Sequence, residues 1–350
     1  MIDLTQRIQG FARLSDYIGD CLNQQKTGTY PDNKSNGLAI ANAAGTNPWF
    51  TPEFVTEALI GIRQLLKPDR LFQWASENNL PDKPQLRKTV GLVMAGNIPA
   101  VGFHDLLCVL VSGHYALVKL SSADNYLIPA LINELCRIEP GFSGMVTYTD
   151  HQLKGFDAVI ATGSDNTARY FEYYFSSYPH IIRKNRNSIA IISGAETDAE
   201  LISLSDDVFL YFGLGCRSVS KVFIPDSYDP RKLMAAFEKY SDVKKHSKYF
   251  NNYEYNKAIM LINREEHLDN GFLLLRPSTN LASPVSVLNY EYYQSPEGLA
   301  ESLSAVSEKI QVIVSASGFV QDSVPFGRSQ YPSVDDYADK VNTLEFLMSL

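Results

Sequence analysis

The residue with the clearest chemical potential is a cysteine that follows two glycines, in the stretch Tyr211-Phe212-Gly213-Leu214-Gly215-Cys216. A catalytic thiolate needs its backbone at the surface of a cleft, where neighbouring amide groups can hold negative charge. Gly213 and Gly215 permit such a close approach because they have no side chain. We therefore interpret Cys216 as a nucleophile. The alternative is a buried cysteine behind a flexible turn.

A second candidate site combines polar residues that follow predicted strands. Thr162-Gly163-Ser164 lies between a predicted strand and a predicted helix, and a helix start of this kind can bind a phosphate group. Asn97, Ser121 and Ser122 also follow predicted strands, and ligands of doubly wound sheets bind at the carboxyl ends of strands. Together these residues predict a dinucleotide site. The alternative for Thr162-Gly163-Ser164 is an ordinary helix cap, and the chain has no GxGxxG fingerprint.

The cysteines and histidines do not suggest a metal site. The four cysteines form no CxxC pair, and Cys21, Cys108 and Cys136 lie among apolar residues at helical spacing, which predicts core positions. The six histidines are scattered and show neither HExxH nor a close Cys/His spacing. We therefore expect no metal.

Composition limits the class of protein. A chain of 350 residues with 45% hydrophobic and 20% charged content can bury a large core and predicts two globular domains. The net charge of -8 argues against a nucleic-acid partner. The first residues lack the basic start and apolar run of a signal peptide, and no stretch is long enough to span a bilayer. We expect a cytoplasmic protein.

The elements that must position these residues follow from hydrophobic periodicity. N-terminal helices are predicted from the apolar spacing of residues 8–21 and from the cap Thr51-Pro52. From Lys88, strands alternate with helices, which predicts a parallel sheet covered on both faces. The predicted strands of this doubly wound unit are residues 89–95, 116–120, 145–149 and 157–161, and its helices cover 101–112 and 127–138.

A second α/β domain is predicted beyond Cys216. Its strands are residues 222–225, 272–275, 285–289 and 311–315, its helices cover 231–240 and 297–306, and a closing amphipathic helix follows from Ser333. Seven aromatic residues either line an acyl channel or belong to the core and surface loops. They are Tyr249, Phe250, Tyr253, Tyr255, Tyr290, Tyr292 and Tyr293.

The domain boundaries are predicted from these patterns. Residues 1–190 would contain the N-terminal helices and the dinucleotide-binding domain, and residues 191–325 the catalytic domain with the thiol. Residues 326–350 would return to the first domain or form a subunit interface. Cys216 would then lie at a domain boundary, where a cofactor and a substrate can meet.

Four features in order share a pattern: Asn97-x-Pro99, Lys119 at a strand end, Thr162-Gly163-Ser164 and Gly213-x-Gly-Cys216. Their order resembles the aldehyde dehydrogenase superfamily. Within it, the chain is most similar to the LuxC-type acyl-CoA reductases, which also carry tracts like Arg186-Asn187-Ser188 and Phe326-Gly327-Arg328. The resemblance covers about residues 88–328. It implies an aldehyde dehydrogenase-like α/β fold, with a doubly wound cofactor domain and a second α/β catalytic domain.

The resemblance also implies roles for individual residues. Cys216 matches the catalytic thiol, and Asn97 matches the asparagine whose amide forms an oxyanion hole with the backbone NH of that cysteine. Lys119 matches a lysine that contacts the cofactor ribose, and Ser164 a serine that faces the pyrophosphate. Asn280 stands where a ribose-binding glutamate is expected. Taken alone, Asn97 also suits a turn before proline, and Lys119 a lysine at a strand end.

Departures from the family pattern bear on the reaction. Oxidising aldehyde dehydrogenases carry a Glu-Leu-Gly-Gly-Lys tract whose glutamate activates water, and the corresponding tract here reads Arg183-Lys184-Asn185-Arg186-Asn187. Arginine cannot be that base, whereas attack of a thiol on a thioester needs no water. The resemblance therefore implies reduction of an acyl-CoA or acyl-carrier thioester to an aldehyde. The alternatives are an aldehyde dehydrogenase or acyl-phosphate reductase with the same thiol, or a non-catalytic acyl-binding subunit.

The cofactor is expected to be NADPH, with NADH as a possibility. NAD-preferring relatives carry a carboxylate three residues after the lysine, and Ser122 occupies that position here. A carboxylate would repel a 2′-phosphate, so its absence favours NADPH, with Lys119 as a counter-charge. Thr162, Gly163 and Ser121 complete the expected cofactor contacts, and we expect a homo-oligomer.

Overall fold

The structure is a computed structural model that describes residues 2–27, 40–316 and 318–350. It divides into two compact units. Unit 1 contains residues 1–184 and 332–350, and unit 2 contains residues 185–331. None of the helices in the described parts of the chain is long and apolar enough to cross a membrane.

Two N-terminal helices of unit 1, Leu4–Thr27 and Pro52–Leu65, form where the sequence predicted helices, and the helices Ile40–Thr46 and Pro68–Glu77 were not predicted. The Thr51 hydroxyl caps the third helix by accepting a 3.2 Å hydrogen bond from the Phe54 amide, and Pro52 occupies its first turn. Apolar residues on one face of this helix, including Val55, Leu59 and Ile62, are buried. In the described part of the N-terminal segment the helices are α1 (Leu4–Thr27), α2 (Ile40–Thr46), α3 (Pro52–Leu65) and α4 (Pro68–Glu77).

Unit 1 has a five-stranded parallel sheet in the order β3-β2-β1-β4-β5. The chain builds outward from β1 to β3 and then returns to the other side of β1, so the strand order reverses between β1 and β4. Its strands are β1 (Thr89–Val93), β2 (Tyr115–Lys119), β3 (Val146–Tyr148), β4 (Ala158–Thr162) and β5 (His180–Arg183). Its helices are α5 (Phe103–Val111), α6 (Leu127–Ile138) and α7 (Asp165–Tyr174).

The C-terminal segment packs on unit 1 through buried polar contacts. Arg183 pairs with Asp105 at 2.6 Å and donates a 2.8 Å hydrogen bond to the Thr343 hydroxyl. The ring of His114 bonds to the Leu347 carbonyl at 3.0 Å. The predicted closing helix from Ser333 is wrong in its extent, because the helix covers only Thr343–Met348. Asp339 and Lys340, both with positive φ, interrupt the chain before it.

Unit 2 has a seven-stranded sheet in the order β12-β11-β6-β7-β10-β9-β8, in which only the β8–β9 pair is antiparallel. Its strands are β6 (Asn187–Ile191), β7 (Val219–Pro225), β8 (Leu268–Asp269), β9 (Leu274–Pro277), β10 (Val287–Tyr293), β11 (Ile310–Ser315) and β12 (Val324–Pro325). Its helices are α8 (Asp198–Phe209), α9 (Arg231–Ala236), α10 (Ser247–Asn263) and α11 (Pro296–Ser304), and the C-terminal helix of unit 1 is α12.

Two differences from the sequence prediction have a physical reason. The predicted helix over 231–240 ends as α9 at Ala236 and continues as a 3₁₀ helix over Phe237–Lys245. Helix α10 was missed because its apolar side chains do not form one stripe: Tyr253 and Met260 are buried, whereas Tyr255 and Ile262 are exposed.

The candidate channel aromatics and the cysteines separate by burial. Tyr249, Tyr253, Tyr290 and Tyr293 are buried, whereas Phe250, Tyr255 and Tyr292 are exposed. Cys108 is buried as predicted, and Cys21 and Cys136 are half-buried against the same apolar core. Cys216 is exposed, and none of the four cysteines, all in described parts of the chain, forms a disulfide bond.

Candidate active site

Cys216 lies in a tight turn between a 3₁₀ helix and β7. The Ser218 amide donates a 3.0 Å hydrogen bond to the Gly215 carbonyl, which closes a four-residue turn, here called the thiol turn (Gly215–Ser218). Strand β7 begins at Val219, three residues before its predicted start at Val222. Cys216 therefore sits directly ahead of a buried central strand, with its own side chain exposed.

The chain enters the thiol turn through three consecutive residues in the left-handed region. Tyr211, Phe212 and Gly213 have φ values of +56°, +55° and +74°. This conformation costs roughly 1–3 kcal/mol for each residue with a side chain, so Gly213 fits here and the two aromatics need compensation. Both aromatic side chains are buried, and the Phe212 ring lies 4.4 Å from the His246 ring. Packing thus holds a strained backbone just before the thiol.

Side-chain hydrogen bonds within unit 2 hold the thiol turn from two sides. Ser188, which has no exposed surface, donates a 2.8 Å hydrogen bond to the Cys216 carbonyl. Arg217 donates to the Ser329 carbonyl at 3.4 Å, and the Gln330 amide donates to the Ser218 hydroxyl at 3.3 Å. Ser188 belongs to the Arg-Asn-Ser tract, and Ser329 follows the Phe-Gly-Arg tract. Both tracts therefore lie at the thiol turn within unit 2.

Sequence reasoning missed a buried carboxylate behind the second tract. The Asp207 side chain accepts hydrogen bonds from the Gly327 amide at 2.6 Å and the Ser329 amide at 2.9 Å. Burial raises the pKa of Asp207 to about 6, although these hydrogen bonds favour its ionised form. Its position on the buried face of α8, between Leu204 and Val208, was the only available signal.

The loop that carries Asn280 is fixed from within unit 2. Asn289 donates to the Asn280 and Ala282 carbonyls at 3.0 and 2.9 Å, and the Ser220 hydroxyl donates to the Leu281 carbonyl at 2.8 Å. Lys221, which is 1% exposed, donates to the Thr279 carbonyl at 2.9 Å and also pairs with Glu291. Four successive carbonyls of this loop thus accept from side chains of β7 and β10, and the Asn280 side chain is exposed.

In unit 1, Asn97 is exposed on the loop after β1. Ala100 in this loop lies in the left-handed region, with φ +53°. The backbone amide of Ala100 donates a 2.6 Å hydrogen bond to the carboxylate of buried Asp124. Burial raises the pKa of Asp124. A Cβ atom at Gly96 would lie 2.6 Å from the Ser121 hydroxyl oxygen, so the loops after β1 and β2 touch. Asp124 was not predicted.

The remaining cofactor candidates lie along the same edge of the sheet. Lys119 pairs with Val93 of β1, and its ammonium group donates to the His151 carbonyl at 3.2 Å. Ser122 is exposed one residue beyond Ser121, and the Ser121 hydroxyl accepts from the Ala123 amide at 3.2 Å. Because β2, β1 and β4 are parallel neighbours, residues that follow all three strands come together at their carboxyl ends.

Thr162, Gly163 and Ser164 end β4 and begin α7. The Ser164 hydroxyl accepts from the Thr167 amide at 3.3 Å, so it caps this helix. A Cβ atom at Gly163 would lie 3.0 Å from the Thr167 side chain, which favours glycine there. The structure thus groups Asn97, Lys119, Ser121, Ser122 and residues 162–164 in unit 1, and it assigns Cys216 and Asn280 to unit 2. The described residues contain no group of three or more metal-ligating side chains.

The chain shares its fold with solved aldehyde dehydrogenases, which form one structural class. The chain superimposes on aldehyde dehydrogenase 21 from Physcomitrella patens, in complex with succinate, with a TM-score of 0.64, covering 100% of this chain and 84% of that one at 12% identity. It superimposes on a Mycobacterium tuberculosis aldehyde dehydrogenase complexed with NAD+ with a TM-score of 0.60, covering 93% and 76% at 12% identity. The α/β fold is that of the aldehyde dehydrogenases.

Within this class, residues 48–273 match the model of one family, Acyl-CoA reductase (LuxC). The match covers more than half of the chain, so the chain belongs to the LuxC acyl-CoA reductase family, and the resemblance found in the sequence is confirmed. A similar curated protein is the long-chain acyl-protein thioester reductase 2 of Photobacterium leiognathi, 26% identical over 191 residues. The matched region is 49% of this chain and only 40% of that relative.

Proposed function

We propose that this protein is an NADPH-dependent reductase that converts an acyl thioester, such as an acyl-CoA, to an aldehyde through an acyl group on Cys216. The observation that carries the proposal is an exposed cysteine in a fixed turn, in a chain of the acyl-CoA reductase family. The thiolate attacks the thioester carbonyl, the carbon–sulfur bond to CoA breaks, and the CoA thiolate leaves. Asn97 and the Cys216 amide are the proposed donors to the oxyanion.

The residues at the carboxyl edge of the unit 1 sheet fit a dinucleotide. Asn97, Ser122 and Ser164 are exposed there, and Gly96 and Gly163 allow the strand-end loops to pack closely against Ser121 and Thr167. Lys119, Ser121, Thr162 and Gly163 are the other proposed contacts, with Asn280 proposed for the ribose. When bound, NADPH supplies the hydride that releases the acyl group as an aldehyde and returns Cys216 to the thiolate.

The side chains that follow Lys119 at the same edge of the sheet favour NADPH over NADH. Ser122 is uncharged, and the nearest carboxylate in sequence, Asp124, is turned inward onto the Ala100 amide. It therefore does not replace the ribose-binding carboxylate of NAD-preferring relatives. Lys119 supplies a positive charge for a 2′-phosphate.

Residues 183–187 stand where oxidising relatives carry the water-activating glutamate. The residues found there in this chain favour thioester reduction. Arg183 is 4% exposed and paired with Asp105. Burial opposes ionisation of Asp105, but the Arg183 guanidinium and its hydrogen bonds hold the pKa of that carboxyl below its ordinary value. Lys184 pairs with Glu172 at 2.7 Å. A cation in this tract cannot activate water as a base.

Substrate comparison by steady-state kinetics tests the proposal. Wild-type protein and Cys216→Ser are assayed for NADPH oxidation with acyl-CoAs of several chain lengths and with acyl phosphates. The reverse reaction is assayed as NADP+ reduction with aldehydes. We expect aldehyde formation from acyl-CoA and a loss of at least about 1,000-fold in Cys216→Ser. Preference for an acyl phosphate would show that the substrate is an acyl phosphate and not a thioester. Acid formation from an aldehyde without CoA would show that the protein is an aldehyde dehydrogenase. Acyl binding without turnover would indicate a binding subunit.

A further inference from the structure

Asp207 is a carboxylate sealed inside unit 2 that the proposed chemistry does not use. Its side chain has no exposed surface and lies on the face of α8 that is buried with Leu204 and Val208. A buried carboxylate is unfavourable unless hydrogen bonds satisfy it, because burial removes its hydration. The identity of its partners therefore indicates what the carboxylate stabilises.

Both partners of Asp207 are backbone amides of one short segment. The two carboxylate oxygens accept from the Gly327 amide at 2.6 Å and the Ser329 amide at 2.9 Å. Gly327 has φ +76°, and a Cβ atom there would lie 3.2 Å from the Ser203 carbonyl, so the segment also contacts α8. Two anchored amides, two residues apart, fix the local backbone in position and orientation.

The other side of this segment holds the thiol turn. The Ser329 carbonyl accepts from Arg217 at 3.4 Å, and Gln330 donates to the Ser218 hydroxyl at 3.3 Å. Arg217 and Ser218 are the two residues after Cys216. The segment 327–330 thus lies between a buried carboxylate and the backbone that carries the thiol.

We propose that Asp207 is a positioning residue for Cys216, which fixes the thiol turn through the backbone of residues 327–330. The inference rests on the proposed role of Cys216 as the acyl acceptor. A displacement of a reacting group by about 1 Å can lower a rate by roughly 100-fold. Loss of Asp207 should therefore slow acyl transfer while it leaves the affinity for acyl donor and cofactor nearly unchanged.

Asp207→Asn and Arg217→Met test this link from its two ends. Asparagine keeps the shape of the side chain and one acceptor oxygen, but it turns an NH2 group toward the second backbone amide. Methionine removes the guanidinium donor to Ser329 without disturbing a buried charge. Asp269→Asn is the matched control, because Asp269 also accepts from a backbone amide of unit 2, that of Gly271 at 2.8 Å, at strand β8.

Three quantities are measured for each variant: the single-turnover rate of acylation by acyl-CoA, the KM values, and the pH profile of Cys216 alkylation by iodoacetamide. We expect Asp207→Asn to acylate about 10- to 100-fold more slowly, Arg217→Met about 3- to 10-fold more slowly, and Asp269→Asn at the wild-type rate. KM values should stay within about twofold, and the alkylation profile should shift in the first two variants only.

Wild-type acylation rates in both Asp207→Asn and Arg217→Met would overturn the positioning role, as would alkylation profiles that superimpose on the wild type. Alkylation needs no acyl donor and no cofactor. If the wild-type protein is alkylated at Cys216 but never acylated, the proposed function fails, and the alkylation profiles alone decide whether Asp207 positions the thiol. If Asp207→Asn does not fold, Arg217→Met decides the same question.

Discussion

The hydroxyl group of Ser188 donates a 2.8 Å hydrogen bond to the carbonyl oxygen of Cys216. The donor lies at the start of β6 and the acceptor just before β7, two neighbouring parallel strands. The backbone of the thiol residue is therefore tied to the centre of the unit 2 sheet, while its side chain remains exposed. An exposed side chain on a fixed backbone is the arrangement that a nucleophile requires.

Substitution of Ser188 by Ala should reduce both stability and acyl transfer. The hydrogen bond from the buried Ser188 hydroxyl to the Cys216 carbonyl would be lost. One such hydrogen bond contributes about 0.5–1.5 kcal/mol, so the free energy of unfolding should fall by about that amount. Urea unfolding and single-turnover acylation measure the two effects.

The control for this prediction is Ser302→Ala, which removes a hydroxyl group that donates to the Gly298 carbonyl on the exposed face of α11. It should change stability by less than about 0.5 kcal/mol. If Ser188→Ala behaved like this control in both assays, the hydrogen bond to Cys216 would have no role in the site.

Asp207 predicts a specific dependence of stability on pH. Its pKa is raised from 3.8 to about 6 by burial, so the folded state binds the proton more tightly than the unfolded state. Folding is less favourable when this carboxylate is ionised. The contribution of Asp207 to the free energy of unfolding therefore falls as the pH rises from about 4 through 6. Relative to Asp207→Asn, the wild-type protein should gain about 1 kcal/mol when the pH is lowered from 7 to 5.

Urea unfolding of the two proteins at both pH values measures this difference. Asp206, the neighbouring carboxylate, also raises the pKa of Asp207 and is present in both proteins. A difference between the two proteins that stays constant from pH 7 to pH 5 would show that Asp207 does not titrate in this range.

Cofactor preference should depend on the charge at residue 122. Ser122→Asp places a carboxylate where NAD-preferring relatives have one, and it would repel a 2′-phosphate. The Kd for NADPH should rise by about tenfold or more, whereas the Kd for NADH should stay the same or fall. Fluorescence titration with both cofactors measures the change, with Ser302→Asp as the control for charge alone. Equal effects on the two Kd values would show that residue 122 does not discriminate between NADPH and NADH.

Gly96 should be required for the shape of the loops at the carboxyl edge of the unit 1 sheet, where the cofactor is proposed to bind. A Cβ atom at this position would lie 2.6 Å from the Ser121 hydroxyl oxygen and 3.1 Å from the Asp124 amide nitrogen, so Gly96→Ala must displace the loop after β2. We expect a Kd for NADPH about tenfold higher.

Gly45→Ala is the matched control for Gly96→Ala, because a Cβ atom at Gly45 has open space around it and the substitution should leave the Kd unchanged. An unchanged Kd in Gly96→Ala would mean that this loop does not contact the cofactor.

Elements with a strong local signal were predicted well from the sequence. Helix α6 has the predicted bounds, residues 127–138, because its apolar stripe is unbroken, and α3 begins at the predicted Thr51 cap. Several elements were not predicted, among them strands β5 and β6 and helices α2, α4, α8 and α10. In α8, a charged residue interrupts the buried face, because Asp207 finds its partners at Gly327 and Ser329, about 120 positions away in sequence.

The site was predicted unevenly for the same reason. Glycine and strand-end patterns are local, so Cys216, Asn97 and the residues that follow β2 and β4 could be named from the sequence. Asp124 and Asp207 act on backbone amides of distant or strained segments, and only the folded chain shows which amides those are. Buried carboxylates that accept backbone amides leave no spacing signature in the sequence.

The role of Cys216 is tested most directly by the intact mass of the protein after mixing with acyl-CoA, first without NADPH and then with it, for the wild type and Cys216→Ala. If Cys216 accepts the acyl group, only the wild type gains the mass of one acyl group, and it loses this mass when NADPH is added as the aldehyde appears. No adduct with any acyl-CoA, or equal labelling of Cys216→Ala, would contradict Cys216 as the residue that accepts the acyl group.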